Sequence, residues 1–422
     1  MQKRVSLLTL IVSIALAIFI TFTITFSVVQ VANYIYDVVT ESKSSTSEVD
    51  EWQSALPEGK RNPELFETLA MIDYYYQTGY VNEVDQEELI SRLMNAYILC
   101  VGDQYGAYYT PEEVEAIYSD TEGIKVGIGV YVRVMGENDE RIKILEVMDG
   151  SPAKNAGILK GDIITHVDGI DVTEIGYDAT VSIISGEVDT DVSITILRGD
   201  VTKIITVKRK LFTTQTVFYH KYELDSSVGV VRIMEFNDGT PKQFKAAVNK
   251  LLTEEGCKSL VFDVRSNPGG TLDSCVEILD FLLPKGDIVY ITDLDGTVVN
   301  TYKSDSGEIN VPMAVLTNGA TASAGELFTC ALKDYNKAVI VGTKTYGKGC
   351  MQNIITLPNG GALRYTTQLY NPPKSENYDG VGITPDIEVE LDSSLKEMNY
   401  FEIKDAQDNQ LSAAYKALKG EQ

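Results

Sequence analysis

The strongest constraint on the fold is an alternation of apolar runs and an amphipathic segment after residue 225. VGVVRIMEF is typical of an apolar strand, and SLVFDVR is typical of a second strand buried on both faces. Between them, Thr240 and Pro241 indicate a helix start, and Gly256 indicates its end. The further apolar runs DIVYITDL, VPMAVLTN and KAVIVGT indicate more strands. The sequence therefore predicts an α/β domain over residues 211–390.

Two regions with other textures precede this domain. From Gly123 to Arg209, short β-branched runs are broken by glycine and aspartate, which predicts a compact β-rich module over residues 121–210. Within it, Ser151 and Pro152 predict one short helix. Residues 61–120 carry apolar side chains at helical spacing, so we expect an N-terminal helical region there.

The N-terminus carries a long uncharged stretch. No residue between Arg4 and Asp37 is charged, and the almost wholly apolar residues 5–29 can cross a hydrocarbon core of about 30 Å. No small-residue cleavage site follows, which favours an uncleaved anchor over a signal peptide. Basic residues precede the stretch and acidic residues follow it, so the N-terminus is expected in the cytoplasm. We therefore predict a cytoplasmic stub and transmembrane helix over 1–36, a polar stalk over 37–60, and an extracytoplasmic body at the cell membrane.

Charge and cysteine usage exclude some functions. A formal net charge of −25 disfavours nucleic acid as a partner, because nucleic-acid binding needs a basic face. The five cysteines have neither CxxC spacing nor a histidine cluster, so no metal or cofactor is expected.

Three segments that follow predicted strands could carry chemistry. The first, NGATASAGELFTCALKD, holds Ser323 at a strand-to-helix turn, where a hydroxyl is exposed and helix N–H groups can face an oxyanion. Ser323 and Glu326 also form a Ser-x-x-Glu pattern, so this serine could simply cap a helix. The pattern alone leaves both interpretations open.

The other two segments are glycine-rich. In TYGKGCMQ, Lys348 lies between two glycines, and partial burial would lower its pKa until it can accept a proton; a lysine in a loop is more often a solvated charge. In DVRSNPGG, Gly269 and Gly270 could expose backbone N–H donors, although a turn alone would also justify them. The carboxyl ends of strands in an open α/β sheet are where ligands bind.

Histidine is scarce in this chain. The only two, His166 and His220, lie outside the three segments. This disfavours a Ser-His-Asp triad and favours a Ser-Lys pair, which needs no histidine.

With these motifs, the chain resembles the C-terminal processing peptidases, or tail-specific proteases, over roughly residues 60–390. The similar motifs are Thr321–Glu326 and Thr345–Gln352, and 25 positions separate Ser323 from Lys348, as in that family. The resemblance implies a crotonase/ClpP-like α/β peptidase core in which Ser323 attacks the peptide carbonyl and Lys348 is the general base.

The resemblance also implies supporting roles. Gln352 would orient the lysine, and the backbone N–H of Ala324, with that of Gly269 or Gly270, would form the oxyanion hole. Glu326, Asp334 and Thr345 match positions that support the site. The sequence departs from the family pattern at three positions, which are Thr321, Gly325 and Cys350.

The β-rich module resembles an inserted PDZ domain. Its predicted carboxylate-binding loop contains Gly127, Ile128, Gly129 and Val130, and SPAKNAGILKGDIITHVDG resembles the segment with the short helix. A PDZ groove takes up an extended peptide as an added strand and binds its terminal carboxylate. The resemblance therefore implies polypeptide substrates recognised by their C-terminal tails. Before this module, Asp103, Tyr105 and Tyr108 resemble the D-x-Y-x-x-Y motif that precedes the PDZ domain in the peptidase family, here called the lead-in motif.

Two other functions fit the sequence less well. An inactive membrane-tethered PDZ scaffold would bind C-termini without cutting them, but it predicts loss of the nucleophile or base, and both are present. A crotonase-type enzyme would need an acyl-CoA site and gives no reason for a PDZ domain. The tail at 391–422 contains an acidic segment and an amphipathic pattern, which leaves self-association into a homo-oligomer open.

Overall fold

The structure, a computed structural model, describes residues 55–114, 123–136, 139–305 and 307–421. The predicted transmembrane helix at 5–29 and most of the predicted stalk lie outside these residues. In the part of the chain that is described, no helix combines the length and apolar character needed to cross a membrane. The chain divides into two compact units, Met1–Leu89 and Ile90–Gln422.

The first unit contains a short 3-10 helix at Glu58–Lys60 and helix α1 (Pro63–Gly79). Helix α1 begins where the side chain of Asn62 accepts the N–H of Leu65, with proline at the first helical position. Helix α2 (Gln86–Val101) begins at the end of this unit. The second unit opens with the rest of α2 and a three-residue strand, β1 (Ala107–Tyr109), inside the region predicted to be helical.

The β-rich module follows β1. The main sheet has the strand order β3-β4-β5-β7-β8, with β6 paired to β5, and a separate ribbon pairs β2 with β9. Its elements are β2 (Ile124–Gly127), β3 (Val130–Gly136), β4 (Asp139–Val147), α3 (Pro152–Ala156), β5 (Ile163–Val167), β6 (Ile170–Asp171), α4 (Val172–Ser185), β7 (Asp191–Arg198), β8 (Val201–Lys208) and β9 (Lys210–Thr213).

The alternation of buried and more exposed side chains along the strands explains how this module buries its core. Val192, Ile194 and Ile196 point to one face of β7 and are fully buried, while their neighbours are not. Helix α3 starts at the predicted Ser151, whose hydroxyl accepts the N–H of Lys154. The second helix, α4, is absent from the sequence prediction; it packs against β4 and β5.

The α/β core is built on a sheet of order β10-β11-β12-β15-β16-β19, in which β11 to β19 are parallel and β10 is antiparallel to β11. Its elements are β10 (Val217–Lys221), β11 (Val228–Ile233), α5 (Thr240–Asn249), β12 (Ser259–Asp263), α6 (Leu272–Leu282), β13 (Gly286–Thr292), β14 (Val298–Ser304), β15 (Met313–Thr317), α7 (Ala324–Asp334), β16 (Ala338–Gly342), β17 (Cys350–Thr356), β18 (Ala362–Asn371), β19 (Ile387–Glu388) and α8 (Asn409–Lys419). A second sheet has the order β1-β18-β13-β14, with β17 also paired to β18.

Both faces of the parallel sheet are covered, which explains why every residue of β12 and β15 is buried. One face packs against α5, α6 and α7 through a core that includes Phe244, Phe262 and Phe328. The other face packs against Leu411 and Ala414 of α8. The amphipathic pattern in the predicted tail therefore corresponds to α8, and the apolar face of this helix is covered by the chain's own sheet.

The order of the parallel strands brings together the three segments that were predicted to carry chemistry. Strands β12, β15 and β16 are neighbours, and each of the three segments follows one of them. Since the carboxyl ends of parallel strands lie at the same edge of a sheet, these segments meet there.

Candidate active site

Ser323 lies between β15 and α7, as the N-cap residue of that helix. Its backbone has a φ of 54°, a left-handed conformation that is uncommon for a residue other than glycine and that occurs at functional sites. Its N–H donates to the carboxylate of Glu326 at 3.0 Å. Its hydroxyl lies 2.7 Å from the phenol oxygen of Tyr370. The capping pattern therefore shapes the turn, while the hydroxyl faces a different partner.

The carboxylate of Glu326 connects the serine segment to the lysine segment. Its side chain is fully buried. Besides the N–H of Ser323, it accepts the Thr345 hydroxyl at 2.6 Å, the N–H of Gly347 at 2.6 Å and the N–H of Lys348 at 2.7 Å. The same Thr345 oxygen accepts the N–H of Ile383 at 2.7 Å. Four donors from two segments thus converge on one buried carboxylate, which fixes the two segments relative to each other.

Lys348 is partly buried, and its amine lies 4.6 Å from the centre of the Tyr105 ring. Burial, which disfavours the ammonium, lowers the pKa of Lys348 below 10.5, and the charge of Arg364 lowers it further. The nearby Cys350, Asp103 and Asp379 oppose this shift without cancelling it. A larger share of neutral amine is therefore available at a given pH than for a solvated lysine.

Ser323 and Lys348 border one cavity of about 350 Å³. Among its lining residues are Gly270, Ser323, Ala324, Lys348, Gln352 and Tyr370. The hydrogen bonds between described residues include none from the Ser323 hydroxyl to the Lys348 amine. The pair is gathered in one pocket, and the serine hydroxyl is engaged with Tyr370.

Backbone donors also border this cavity. The N–H of Gly269 donates to the side-chain oxygen of Asn267 at 2.8 Å, so it is already used. The N–H groups of Gly270 and Ala324 have no acceptor within the described parts of the chain. Both are adjacent to the cavity, where an oxyanion could accept them.

Glycine is required at both predicted positions for a steric reason. A Cβ on Gly269 would lie 2.6 Å from the Cβ of Ser323, and one on Gly270 would lie 2.0 Å from the carbonyl oxygen of Phe236. Their φ angles of 103° and 138° are also unfavourable for other residues. These glycines bring the chain close to the serine.

Two of the predicted site residues, Gln352 and Asp334, make hydrogen bonds to residues other than Ser323 and Lys348. The amide of Gln352 borders the cavity but donates to the Cys350 carbonyl, the Cys350 sulfur and the Thr366 hydroxyl, each at 3.4 Å. Asp334 ends α7, where it accepts the N–H groups of Lys374 and Ser375 at 2.8 and 2.9 Å. Asp334 therefore anchors the segment after β18 and does not line the cavity.

The lead-in motif reaches the site from the loop between α2 and β1. Asp103 accepts the N–H of Thr366 at 2.8 Å and its hydroxyl at 2.9 Å, which joins the motif to β18. Tyr105 then lies against Lys348. Sequence reasoning assigned no part to Tyr370, because it lies on β18 outside the motifs and is one of 24 tyrosines. Only its position in space distinguishes it.

The predicted carboxylate-binding loop of the β-rich module lies against the start of α3. The carbonyl of Ile128 accepts the N–H of Ala153 at 2.8 Å, and that of Gly129 accepts the N–H of Met148 at 3.1 Å. A Cβ on Gly129 would lie 2.4 Å from the Cβ of Ser151. The following strand, β3, is at the end of its sheet and lies near α4, where the Tyr177 phenol donates to the Val132 carbonyl at 3.4 Å. An edge strand beside a helix is the arrangement needed for strand addition.

Family models match both parts of the second unit. The model described as peptidase family S41 matches residues 227–389, and a PDZ domain model matches residues 143–198. These matches confirm the predicted combination of a peptidase core with a PDZ domain.

Relatives extend the similarity to most of the chain. The carboxy-terminal-processing protease of Bartonella bacilliformis is 32% identical over 380 residues, covering 82% of this chain and 86% of that protein. A Staphylococcus saprophyticus protein named "Probable CtpA-like serine protease" is 32% identical over 352 residues, covering 82% of this chain and 69% of that protein. A solved Bacteroides fragilis structure assigned to the S41 proteases shares the fold, with a TM-score of 0.50 and 21% identity over 72% of this chain and 87% of that one.

Proposed function

The chain belongs to peptidase family S41 as a serine-type, carboxy-terminal-processing peptidase, and we propose that it cleaves exported or membrane proteins with Ser323 as nucleophile and Lys348 as general base. The observation that carries this proposal is the single cavity bordered by both side chains and by two free backbone donors. None of the comparisons favours the inactive scaffold. The nucleophile and the base, which a scaffold could lack, are both present.

In the proposed reaction, neutral Lys348 accepts the proton of the Ser323 hydroxyl as the serine oxygen attacks the peptide carbonyl carbon. The lysine then gives that proton to the leaving amine, and water hydrolyses the acyl-enzyme. Two features support this assignment: the lowered pKa of Lys348, and the fixing of both segments by Glu326. The hydroxyl must first turn from Tyr370 toward the amine.

We assign the oxyanion hole to the N–H groups of Gly270 and Ala324. Gly269 is less suitable because its N–H is bound to Asn267. Two preorganised donors would stabilise the charge that develops on the carbonyl oxygen in the transition state.

The remaining predicted residues receive supporting roles. Gln352 borders the cavity, where its amide would orient the side chain of Lys348 once substrate enters. Glu326 and Thr345 hold the lysine segment, and Asp334 anchors the segment after β18.

We propose that substrates are recognised by their C-terminal tails. The tail would add as a strand to the free edge of β3, and the loop containing Gly127, Ile128, Gly129 and Val130 would bind its carboxylate. The PDZ match and the edge position of β3 support this assignment.

We further propose that residues 5–29 anchor the protein in the cell membrane as a single span with the peptidase outside the cytoplasm. The uncharged run and the charge asymmetry around it support this topology. Protease added to intact cells should digest the body and leave the N-terminal stub protected. Protection of the body would contradict the topology.

The apolar face of α8 is buried within the chain, so we propose that a homo-oligomer would not form through this helix. Exposed apolar residues on α2, such as Leu99 and Val101, are better placed to contact a second copy. Sedimentation of the full chain in detergent would distinguish a monomer from an oligomer.

The peptidase assignment is tested with the full-length chain in detergent and an unfolded substrate that has an apolar C-terminus. Ser323→Ala and Lys348→Ala should each lower the cleavage rate by at least about 1,000-fold, because each removes a group that transfers the proton. Cleavage that survived both substitutions would overturn the mechanism.

The recognition proposal needs a separate substrate. Amidating the substrate's C-terminus removes the carboxylate, so cleavage should slow if the PDZ loop binds it. Undiminished cleavage would count against carboxylate binding while leaving the Ser-Lys assignment intact.

A further inference from the structure

Tyr370 contacts the nucleophile, although the proposed proton transfer from Ser323 to Lys348 does not involve it. Its phenol oxygen lies 2.7 Å from the Ser323 hydroxyl oxygen and 3.1 Å from the backbone carbonyl oxygen of Lys348. A carbonyl can only accept, so the single phenol proton is donated to Lys348. In the arrangement that makes both contacts at once, the Ser323 hydroxyl is the donor in the shorter one. In that arrangement, the serine proton points at the phenol oxygen.

The Tyr370 ring is fixed in place. Its side chain is only 5% exposed, and its ring centre lies 6.2 Å from that of Tyr378. Its N–H donates to the Gly349 carbonyl at 3.1 Å, and its carbonyl accepts the Asn377 amide at 3.0 Å. The phenol oxygen is thus a stationary group beside the nucleophile.

Tyr370 is unsuited to act as the base. Burial raises the pKa of Tyr370 well above 10.0, so the phenol keeps its proton at the pH at which proteins work. Turning the phenol O–H from the Lys348 carbonyl toward the serine oxygen, 2.7 Å away, would make the phenol the donor of that contact. Such a donor gains strength when its acceptor becomes negatively charged.

We propose that Tyr370 orients the Ser323 hydroxyl at rest and donates a hydrogen bond to the serine oxygen as Lys348 removes its proton. This inference rests on the proposed function. The serine proton goes to the Lys348 amine, the phenol keeps its own proton, and the serine oxygen attacks the carbonyl carbon. The phenol stabilises the charged serine oxygen and leaves substrate binding unaffected. Acylation is the step that it accelerates.

The test replaces the phenol by a ring of the same shape. In the full-length chain, Tyr370→Phe should slow labelling of Ser323 by a fluorophosphonate probe about 10- to 100-fold, the range for losing a hydrogen bond to a charged group. The kcat for an unfolded substrate should fall similarly, with KM within about twofold. A residue that only supports the structure would not separate kcat from KM in this way.

Tyr378→Phe is the matched control. Its side chain is as buried as that of Tyr370, but its phenol donates to the Ser323 backbone carbonyl at 3.4 Å, whereas the Ser323 hydroxyl contacts Tyr370. Labelling of this variant should stay within about twofold of wild type, because a neutral hydrogen bond of that length contributes little.

The outcomes separate the two proposals. Wild-type labelling of Tyr370→Phe, with Ser323→Ala unlabelled, would overturn the role of Tyr370 alone. Faster labelling would identify the phenol as an inhibitory clamp and would also overturn it. Labelling that persists in Ser323→Ala would overturn the proposed nucleophile.

If circular dichroism shows that Tyr370→Phe is unfolded, 3-fluorotyrosine at position 370 gives an independent test. This residue keeps the packing and is a stronger hydrogen-bond donor, so labelling should become faster than in wild type. An unchanged rate in a folded protein would contradict the inference.

Discussion

At the scale of single residues, the protonation state of Lys348 decides whether the cavity can act as a peptidase. Burial lowers the pKa of Lys348 below 10.5, and only the neutral amine can accept the serine proton. We therefore expect kcat/KM to rise with pH through a limb that lies below pH 10.5, measured on the full-length chain. Lys348→Arg stays charged and should be inactive throughout. A wild-type profile with no limb below that pH would contradict this assignment.

A second residue-scale prediction concerns Glu326. Glu326→Gln replaces one carboxylate oxygen by an NH₂ group, which cannot accept the N–H groups that converge there. Unfolding by denaturant should show a loss of about 3 kcal/mol, and cleavage should slow at least about tenfold. Glu277→Gln is the control, because this exposed residue pairs with Lys245 on the surface. Equal activity of Glu326→Gln and wild type would show that the two segments keep their positions without the carboxylate.

At the scale of elements, the turn after β12 has to pass close to Phe236. Gly270→Ala would place a Cβ 2.0 Å from the Phe236 carbonyl oxygen, so the backbone must move and the proposed oxyanion donor moves with it. Cleavage should be lost and thermal stability should fall. Gly296→Ala, in the turn between β13 and β14, is the control, since its φ of 79° is also left-handed but nothing lies within 4 Å. That variant should lose only about 1 kcal/mol of stability and keep its activity.

The elements also show which parts of the fold local sequence can predict. The start of α5 follows from Pro241 in its first turn, although the N-cap is Gly239 and not the predicted Thr240, and the short helix after Ser151 follows from its capping hydroxyl. Both signals act within a few positions of the chain. Helix α4 was missed because its sequence, VTEIGYDATVSIIS, is rich in β-branched residues and contains a non-helical Gly176. Packing against β4 and β5 overrides that propensity.

The same contrast applies to the site. Ser323, Lys348 and the two glycines lie in segments that follow strands, so pattern and resemblance suffice to single them out. Tyr370 comes from β18, whose pairing with β13 and β17 depends on contacts distant in sequence. The choice between Gly269 and Gly270 depends on the hydrogen bond from Gly269 to Asn267, which sequence does not specify.

At the scale of the whole second unit, the segment from Met398 to Asp408 connects the PDZ domain to the core. Glu402 binds Arg133 and Lys143 of the PDZ domain at 2.9 and 2.5 Å. Tyr400 lies against the guanidinium groups of Arg232 and Arg265 at 4.4 and 4.3 Å from its ring centre. The two domains are therefore joined by a third segment, which contacts the PDZ domain through a carboxylate and the core through an aromatic ring.

Asp263 is the buried carboxylate at the centre of this network. Burial alone would raise the pKa of Asp263, but Arg232 and Arg265 outweigh it and lower the pKa from 3.8 to about 2. Its contribution to stability is therefore present above pH 3.8 and is lost as the pH falls toward about 2. At neutral pH, Asp263→Asn should cost about 3 to 5 kcal/mol, because it leaves buried guanidinium charge uncompensated.

Urea unfolding at several pH values measures this effect. The difference in unfolding free energy between wild type and Asp263→Asn should shrink as the pH falls from 3.8 to about 2. Glu390→Gln, which removes an exposed pair with Lys396, should leave stability unchanged. A difference that does not depend on pH would contradict the assigned pKa direction.

The most direct measurement of the central claim is to trap the acyl-enzyme. The full-length chain is mixed with an ester substrate, quenched rapidly with acid, digested and analysed by mass spectrometry. The Ser-Lys account predicts an acyl adduct on the peptide that contains Ser323, and its absence in Lys348→Met, which keeps an unbranched side chain one atom shorter but cannot accept a proton. An adduct on a different residue, or an equal yield in Lys348→Met, would contradict the account.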